Sequence, residues 1–180
     1  MPIESSKLHR RDKVKGIEFE EHIVSASRVC KVVKGGRIFS FSVLVVIGNK
    51  NGYVGIGLGK ALEVSEARKK AINNAKNNLY YITLSKTKTI PHEVNGKFGA
   101  SKVNIRPAKP GTGIIAGSAM RAAFESVGIK DVVAKALNST NPHNILKATI
   151  KALLMLKDEL YYKSLPTGLI SGTIDDNEEE

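Results

Sequence analysis

The sequence predicts an α+β protein built from two small domains, and three observations carry that reading. Strand-like patterning fills the chain from Phe19 to Lys60 and ends in one helix-period segment. A polar stretch, Ser85–Thr89, interrupts it, and strand and helix patterns then interleave to about residue 165. The expected organisation is a flexible basic arm at 1–18, a first domain at 19–82, a linker at 83–89, a second domain at 90–165 and an acidic tail at 166–180. At 180 residues the chain has room for one domain of ordinary size or two small ones.

The arm carries Lys7, Arg10, Arg11, Lys13 and Lys15 with Glu4 and Asp12, and it has few large apolar residues to order it without a partner. It lacks a signal peptide's apolar core, and its acids argue against a transit peptide. His22–Lys34, rich in Val, Ile and Ser, reads as a first strand, and Lys34-Gly35-Gly36-Arg37 as a turn. Phe39, Phe41, Val43, Val45 and Ile47 alternate as one face of a second strand against a core. Gly48–Gly52, dense in Asn and Gly, is the next turn. Tyr53–Lys60 is a third strand whose Gly55, Gly57 and Gly59 share a face open to close helix packing. A helix is predicted from about Glu63 to Tyr81, with Val64, Ala67, Ala71, Ala75 and Leu79 as its apolar stripe and Arg68, Lys69, Lys70 and Lys76 on the rest of its surface. The order β-β-β-α places this helix on one face of an antiparallel sheet.

In the second domain, Ile90–Val94 and Ser101–Arg106 are candidate strands, and Pro107, Pro110 and Gly111 break the pattern. Ile114–Ala116 is short and apolar. Ser118–Val127 is helical, with Met120, Ala123, Phe124 and Val127 on one face, and Asp131–Leu137 reads as a strand. Asn141 is a good N-cap with Pro142 at the first helical position. The last helix runs to about Lys157 on a stripe of Ile145, Leu146, Thr149, Leu153 and Leu156.

Charge narrows the function. The chain carries a net +11, and without Asp175, Asp176, Glu178, Glu179 and Glu180 its 28 basic residues face 12 acidic ones, a surplus of 16. Such self-repulsion points to a polyanionic partner. Uninterrupted apolar stretches such as Val43–Ile47 are far too short to span a membrane, so no membrane partner is expected. Cys30 is the only cysteine, which excludes an intrachain disulfide and suits a reducing compartment. His9, His22, His92 and His143 lack metal-ligand spacing, no nucleophile-elbow motif occurs and acids are sparse mid-chain, so neither an enzyme nor a resident cofactor or metal is expected.

Three glycine segments remain. At Lys34-Gly35-Gly36-Arg37, with Arg28 and Lys31 just upstream, glycines let backbone approach phosphate while the flanking bases supply charge. Gly55-Ile56-Gly57-Leu58-Gly59-Lys60 imitates a phosphate loop, but Ala61 stands where Ser or Thr is required, and the packing reading is preferred. Gly111-Thr112-Gly113-Ile114-Ile115-Ala116-Gly117 matches a dinucleotide fingerprint, with Asp131 at the spacing of a ribose-binding acid. Pro107 to Pro110, however, stand where the strand should run into the turn. With no Trp and 6% aromatics, and with Phe39, Phe41 and Phe124 assigned to the core, recognition of folded RNA through backbone and shape is preferred to base stacking.

The run Ser27-Arg28-Val29-Cys30-Lys31-Val32-Val33-Lys34-Gly35-Gly36-Arg37-Ile38-Phe39-Ser40-Phe41 resembles the signature of protein five of the bacterial small ribosomal subunit. Gly52–Ala61, Gly111–Gly117, Met120-Arg121-Ala122 and Ser139-Thr140-Asn141-Pro142 match the family in order, and the likeness covers about residues 20 to 160. The resemblance implies a double-stranded-RNA-binding-like first domain and a C-terminal α/β domain with a left-handed β-α-β crossover. It implies binding to 16S ribosomal RNA, a position near the mRNA entry region, stabilisation of head relative to body, and small-subunit proteins four and eight as neighbours in the cytoplasm. The loop matching Val32–Arg37 is where family members become spectinomycin-resistant. The segment of Gly111, Gly113 and Arg121 matches the region tied to translational accuracy through protein four. On these grounds Arg28, Lys31, Lys34, Gly35, Gly36, Arg37, Lys50, Asn51, Lys60, Arg68 and Lys69 are the expected RNA contacts, and Gly111, Thr112, Gly113 and Arg121 the expected protein face. Cys30 and Ser118 stand where a small polar residue and glycine are common, and Gly168–Glu180 matches nothing in the family. A nucleotide-dependent small-molecule kinase and a free double-stranded-RNA-binding regulator are the competing readings.

Overall fold

The computed structural model describes residues 18–82, 84 and 88–156. The basic arm up to residue 17, residues 83 and 85–87 of the predicted linker, the end of the second domain from residue 157 and the whole acidic tail, 166–180, lie outside the described residues.

Strands β1 (Glu20–Val33), β2 (Gly36–Gly48) and β3 (Tyr53–Ala61) form an antiparallel meander, followed by helix α1 (Val64–Asn77). Residues Ala67, Ala71 and Ala75 bury the inner face of α1 against Val43, Val45 and Ile47 of β2. The glycine face of β3 is the reason the helix sits so close. A Cβ at Gly55, Gly57 or Gly59 would run into the carbonyl oxygens of Ala75, Ala71 and Ala67 respectively. The helix is shorter than its apolar spacing suggests. It stops at Asn77, and Leu79–Tyr81 forms a strand, β4, that pairs with Tyr53–Gly55. Consecutive asparagines, Asn77 and Asn78, disfavour a further helical turn, while the aromatic and β-branched residues after them favour a strand. The first sheet therefore has the order β1-β2-β3-β4, and the motif is β-β-β-α-β.

The second sheet is mixed. Strands β5 (Val94–Phe98), β6 (Ser101–Pro107) and β8 (Val132–Asn138) are antiparallel neighbours, and β7 (Ile114–Ile115) pairs parallel to β8. Helix α2 (Ser118–Val127) joins β7 to β8, and α3 (Pro142–Leu154) follows. The first strand of this domain lies later than Ile90–Val94. Pro91 lacks an N–H for a ladder there, and pairing begins at Val94. Helix α3 begins as read, with Asn141 Oδ1 accepting from the His143 N–H at 3.1 Å, and ends at Leu154.

The two sheets share one core. Leu44 and Val46, on the β2 face turned away from α1, are buried in the same cluster as Phe124, Val127, Leu146 and Leu153. The joint is sealed by the Gly48–Gly52 turn. Helix α2 ends with unpaired carbonyls, and Ser126 O accepts from the Lys50 N–H and Val127 O from the Gly52 N–H, both at 3.0 Å. Gly48 lies against Ser126 O and Gly128 against Lys50 O so closely that neither has room for a Cβ. The segment before β5 is also tied in, since Thr89 forms a parallel bridge with Asp131 and its Oγ1 donates to Asp131 O at 2.7 Å.

Candidate nucleic-acid interface

The β1–β2 hairpin outreaches its sheet. Strand β3 pairs with β2 only between Phe41 and Gly48, whereas β1 pairs with β2 out to Val33 and Gly36. Beyond Phe41 the ribbon is two strands wide and open on both faces. Two residues, Lys34 and Gly35, close it. Period-2 alternation puts Arg28, Val32, Arg37 and Phe39 on one face and Lys31, Val33 and Ile38 on the other. All of these residues are exposed, Val32 at 72% and Ile38 at 51%.

Phe39, a core residue by its alternation, is instead 44% exposed, and the Arg28 guanidinium lies 3.8 Å above its ring centroid. The alternation from Phe39 to Ile47 is real, but α1 covers only its Val43–Ile47 part, and Phe41 is half-buried at the boundary. The ring thus holds Arg28 at the surface by cation–π contact. No Cβ at Gly35 or Gly36 would touch anything within 4 Å, so close approach by a ligand is open there.

The other expected RNA contacts are dispersed. Lys50 spends its backbone on α2, and its Nζ pairs with Glu20 at 2.7 Å. The neighbouring Asn51 is exposed, with its N–H held by Asn49 Oδ1 at 2.9 Å. Arg68 pairs with Glu21 at 2.7 Å. Lys60 and Lys69 are exposed on β3 and α1. Arg28, Lys31, Lys34 and Arg37 form the group that the hairpin brings together.

The Gly111 loop is built differently. Gly111 and Gly113 take φ of +89° and +76° in the loop before β7. Asp131, buried, accepts from the Gly113 N–H at 2.8 Å, and Val132 donates to Gly113 O at 3.1 Å. The N–H that would face a phosphate is therefore already engaged, and the carboxylate at ribose-binding spacing serves as its anchor. Thr112 is folded back onto Lys109 O, through Oγ1 at 2.8 Å. Arg121 is exposed, with Nη2 reaching Ile114 O at 3.4 Å. The loop is a fixed, exposed surface.

Sequence reading also missed His143, Lys147 and Lys151. Their spacing of four places them in one stripe along α3, and all three line a cleft between the domains. Among the described residues, no group of three or more His, Cys, Asp or Glu could hold a metal, and no helix is long and apolar enough to cross a membrane.

The arrangement is that of a two-domain α+β protein that presents a cationic ribbon and a fixed loop. Residues 19–83 match the family model described as ribosomal protein S5, N-terminal domain, and residues 96–163 the one described as ribosomal protein S5, C-terminal domain. Small ribosomal subunit protein uS5 of Flavobacterium psychrophilum is 54% identical over 145 residues, 81% of this chain and 83% of that protein. The protein of the same name from Ehrlichia canis is 58% identical over 135 residues, 75% of this chain and 78% of its own. The chain belongs to the ribosomal protein S5 family, a family of structural, non-enzymatic proteins.

Proposed function

We propose that this protein is a structural component of the small ribosomal subunit in the cytoplasm, binding 16S ribosomal RNA with the β1–β2 hairpin as its principal contact. The observation that carries the reading is the ribbon beyond Phe41, which has no third strand among the described residues and gathers Arg28, Lys31, Lys34 and Arg37 around a glycine turn. Folded RNA offers phosphates along a groove, and an extended two-stranded arm reaches them without opening the core.

The hairpin then serves the head RNA, where its tip affects spectinomycin response. The shared core, with Leu44 and Val46 set against α2 and α3, transmits position between the two domains and so holds head against body. The Gly111–Arg121 surface faces the protein-four neighbour and bears on translational accuracy. Its fixed backbone, anchored by Asp131, suits a protein contact better than a phosphate cradle. Protein eight is a further neighbour, and the mRNA entry region lies nearby.

The test is salt-dependent binding to folded 16S fragments. Lys34→Glu and Arg37→Glu should each weaken binding and flatten the log–log salt slope by about 0.7–0.9 for each phosphate no longer neutralised. Their thermal unfolding should be unchanged, because Lys34 and Arg37 are exposed and the glycines between them touch no other described part of the chain. Unaltered RNA footprint, subunit assembly and drug response in both variants would sink the claim that this turn touches RNA.

A further inference from the structure

The cleft between β3 and α3 has a volume of about 400 Å3 and draws its walls from both domains. Ile56, Leu58 and Ile150 give it apolar surface, and Tyr80 and Phe98 supply aromatic rings. Lys147 and Lys151 stand on its α3 side, and among the described residues no Asp or Glu lines it. The Lys147 ammonium lies 4.8 Å from the Phe98 ring centroid, so charge and ring are presented together.

One lining side chain, His143, has a buried Nδ1 with no hydrogen-bond partner among the described residues. Burial, and secondarily the Lys147 charge, push the His143 pKa below its ordinary value, which leaves a neutral ring able to accept at one nitrogen and donate at the other. The edge of β3 adds backbone groups. Ile82 N–H donates to Gly52 O at 2.9 Å, and antiparallel alternation turns Val54, Ile56 and Leu58 to that same edge. Strand β4 covers only Tyr53–Gly55, so the edge at Ile56 and Leu58 opens on the cleft.

We propose that this cleft binds one unstacked RNA nucleotide, its base against the apolar and aromatic walls and its phosphate at Lys147 and Lys151. The inference rests on the RNA-binding reading above and adds a second contact, remote from the hairpin and different in kind. The cationic rim, without an acid among the described residues, selects a polyanion, the rings suit a base face, and the imidazole and the Ile56 backbone at the strand edge suit a base edge. An added peptide strand fits less well, because the Leu58 carbonyl it would need already accepts from Asn74 Nδ2 at 2.8 Å.

The test is an NMR titration of the full chain with uridine and adenosine hexanucleotides, with inorganic phosphate as the control. Saturable shifts should appear at Gly57, Phe98 and His143. Lys147→Glu combined with Lys151→Glu should weaken them about tenfold, as should Phe98→Leu, while Lys34→Glu leaves them in place. Absent cleft shifts, with salt-sensitive binding to folded 16S fragments intact, would overturn the cleft and leave the RNA-binding function standing. Loss of both kinds of binding would overturn the function as well. Shifts reproduced in full by phosphate would reduce the site to an anion contact and overturn the nucleotide.

Discussion

Strand β2 contains two regions of opposite character. From Val43 to Gly48 every residue is buried, because α1 covers one face and the second domain the other. From Gly36 to Phe39 every residue is exposed, although the strand and its pairing with β1 continue without a break. Composition does not separate them, since the exposed part includes Ile38 and Phe39. The neighbour does: where β3 stops pairing, packing stops, and side chains of the same types become available to a ligand. One strand thus serves as a structural beam at its base and a recognition arm at its tip.

The base should fail severely when its close packing is disturbed. Gly57→Val places side-chain atoms where the Ala71 carbonyl stands, so α1 must lift off the sheet. A loss of about 3 kcal/mol or more is expected in urea unfolding. A variant as stable as the parent would mean that the helix does not depend on the glycine face. Leu44→Ala comes next. It removes a buried side chain from the cluster the domains share and should cost about 2–4 kcal/mol. Unfolding followed by calorimetry should still show a single transition. Two separated transitions would mean that each domain has its own core and that β2 joins them only loosely.

The separation of base from tip is partly legible in the sequence. Alternation from Phe39 to Ile47 identifies the strand, and Gly55, Gly57 and Gly59 correctly announce a close helix. Periodicity reports that a face could be buried, not how far a neighbour extends to bury it, and so it assigns Phe39 to the core. The same limit hides the joint. Leu44 and Val46 sit on the second face of β2, and only the fold brings Ser126 and Val127 to the Gly48–Gly52 turn. Leu79–Tyr81 reads as helix because Leu79 continues the alanine stripe, and local asparagines outweigh that spacing. Asp131 lies eighteen residues from the Gly113 N–H it holds. The His143, Lys147 and Lys151 stripe is visible at a spacing of four, but the wall opposite it comes from another domain.

The smallest effect on stability belongs to Phe39, and it separates the two regions most sharply. A core phenylalanine truncated to alanine costs about 3–5 kcal/mol. Phe39 is nearly half exposed and its main described partner is the Arg28 guanidinium, an interaction worth about 0.5–1 kcal/mol at the surface. Phe39→Ala should therefore cost no more than about 1 kcal/mol in urea unfolding. Its effect on RNA should be larger than its effect on folding, because Arg28 loses the ring that fixes its direction and must be ordered on binding. Affinity for folded 16S fragments should drop several-fold, with the salt slope nearly unchanged since no charge is removed. A loss of several kcal/mol in stability would return Phe39 to the core and erase the boundary within β2. Unchanged affinity would leave that boundary intact but remove Arg28 from the recognition arm.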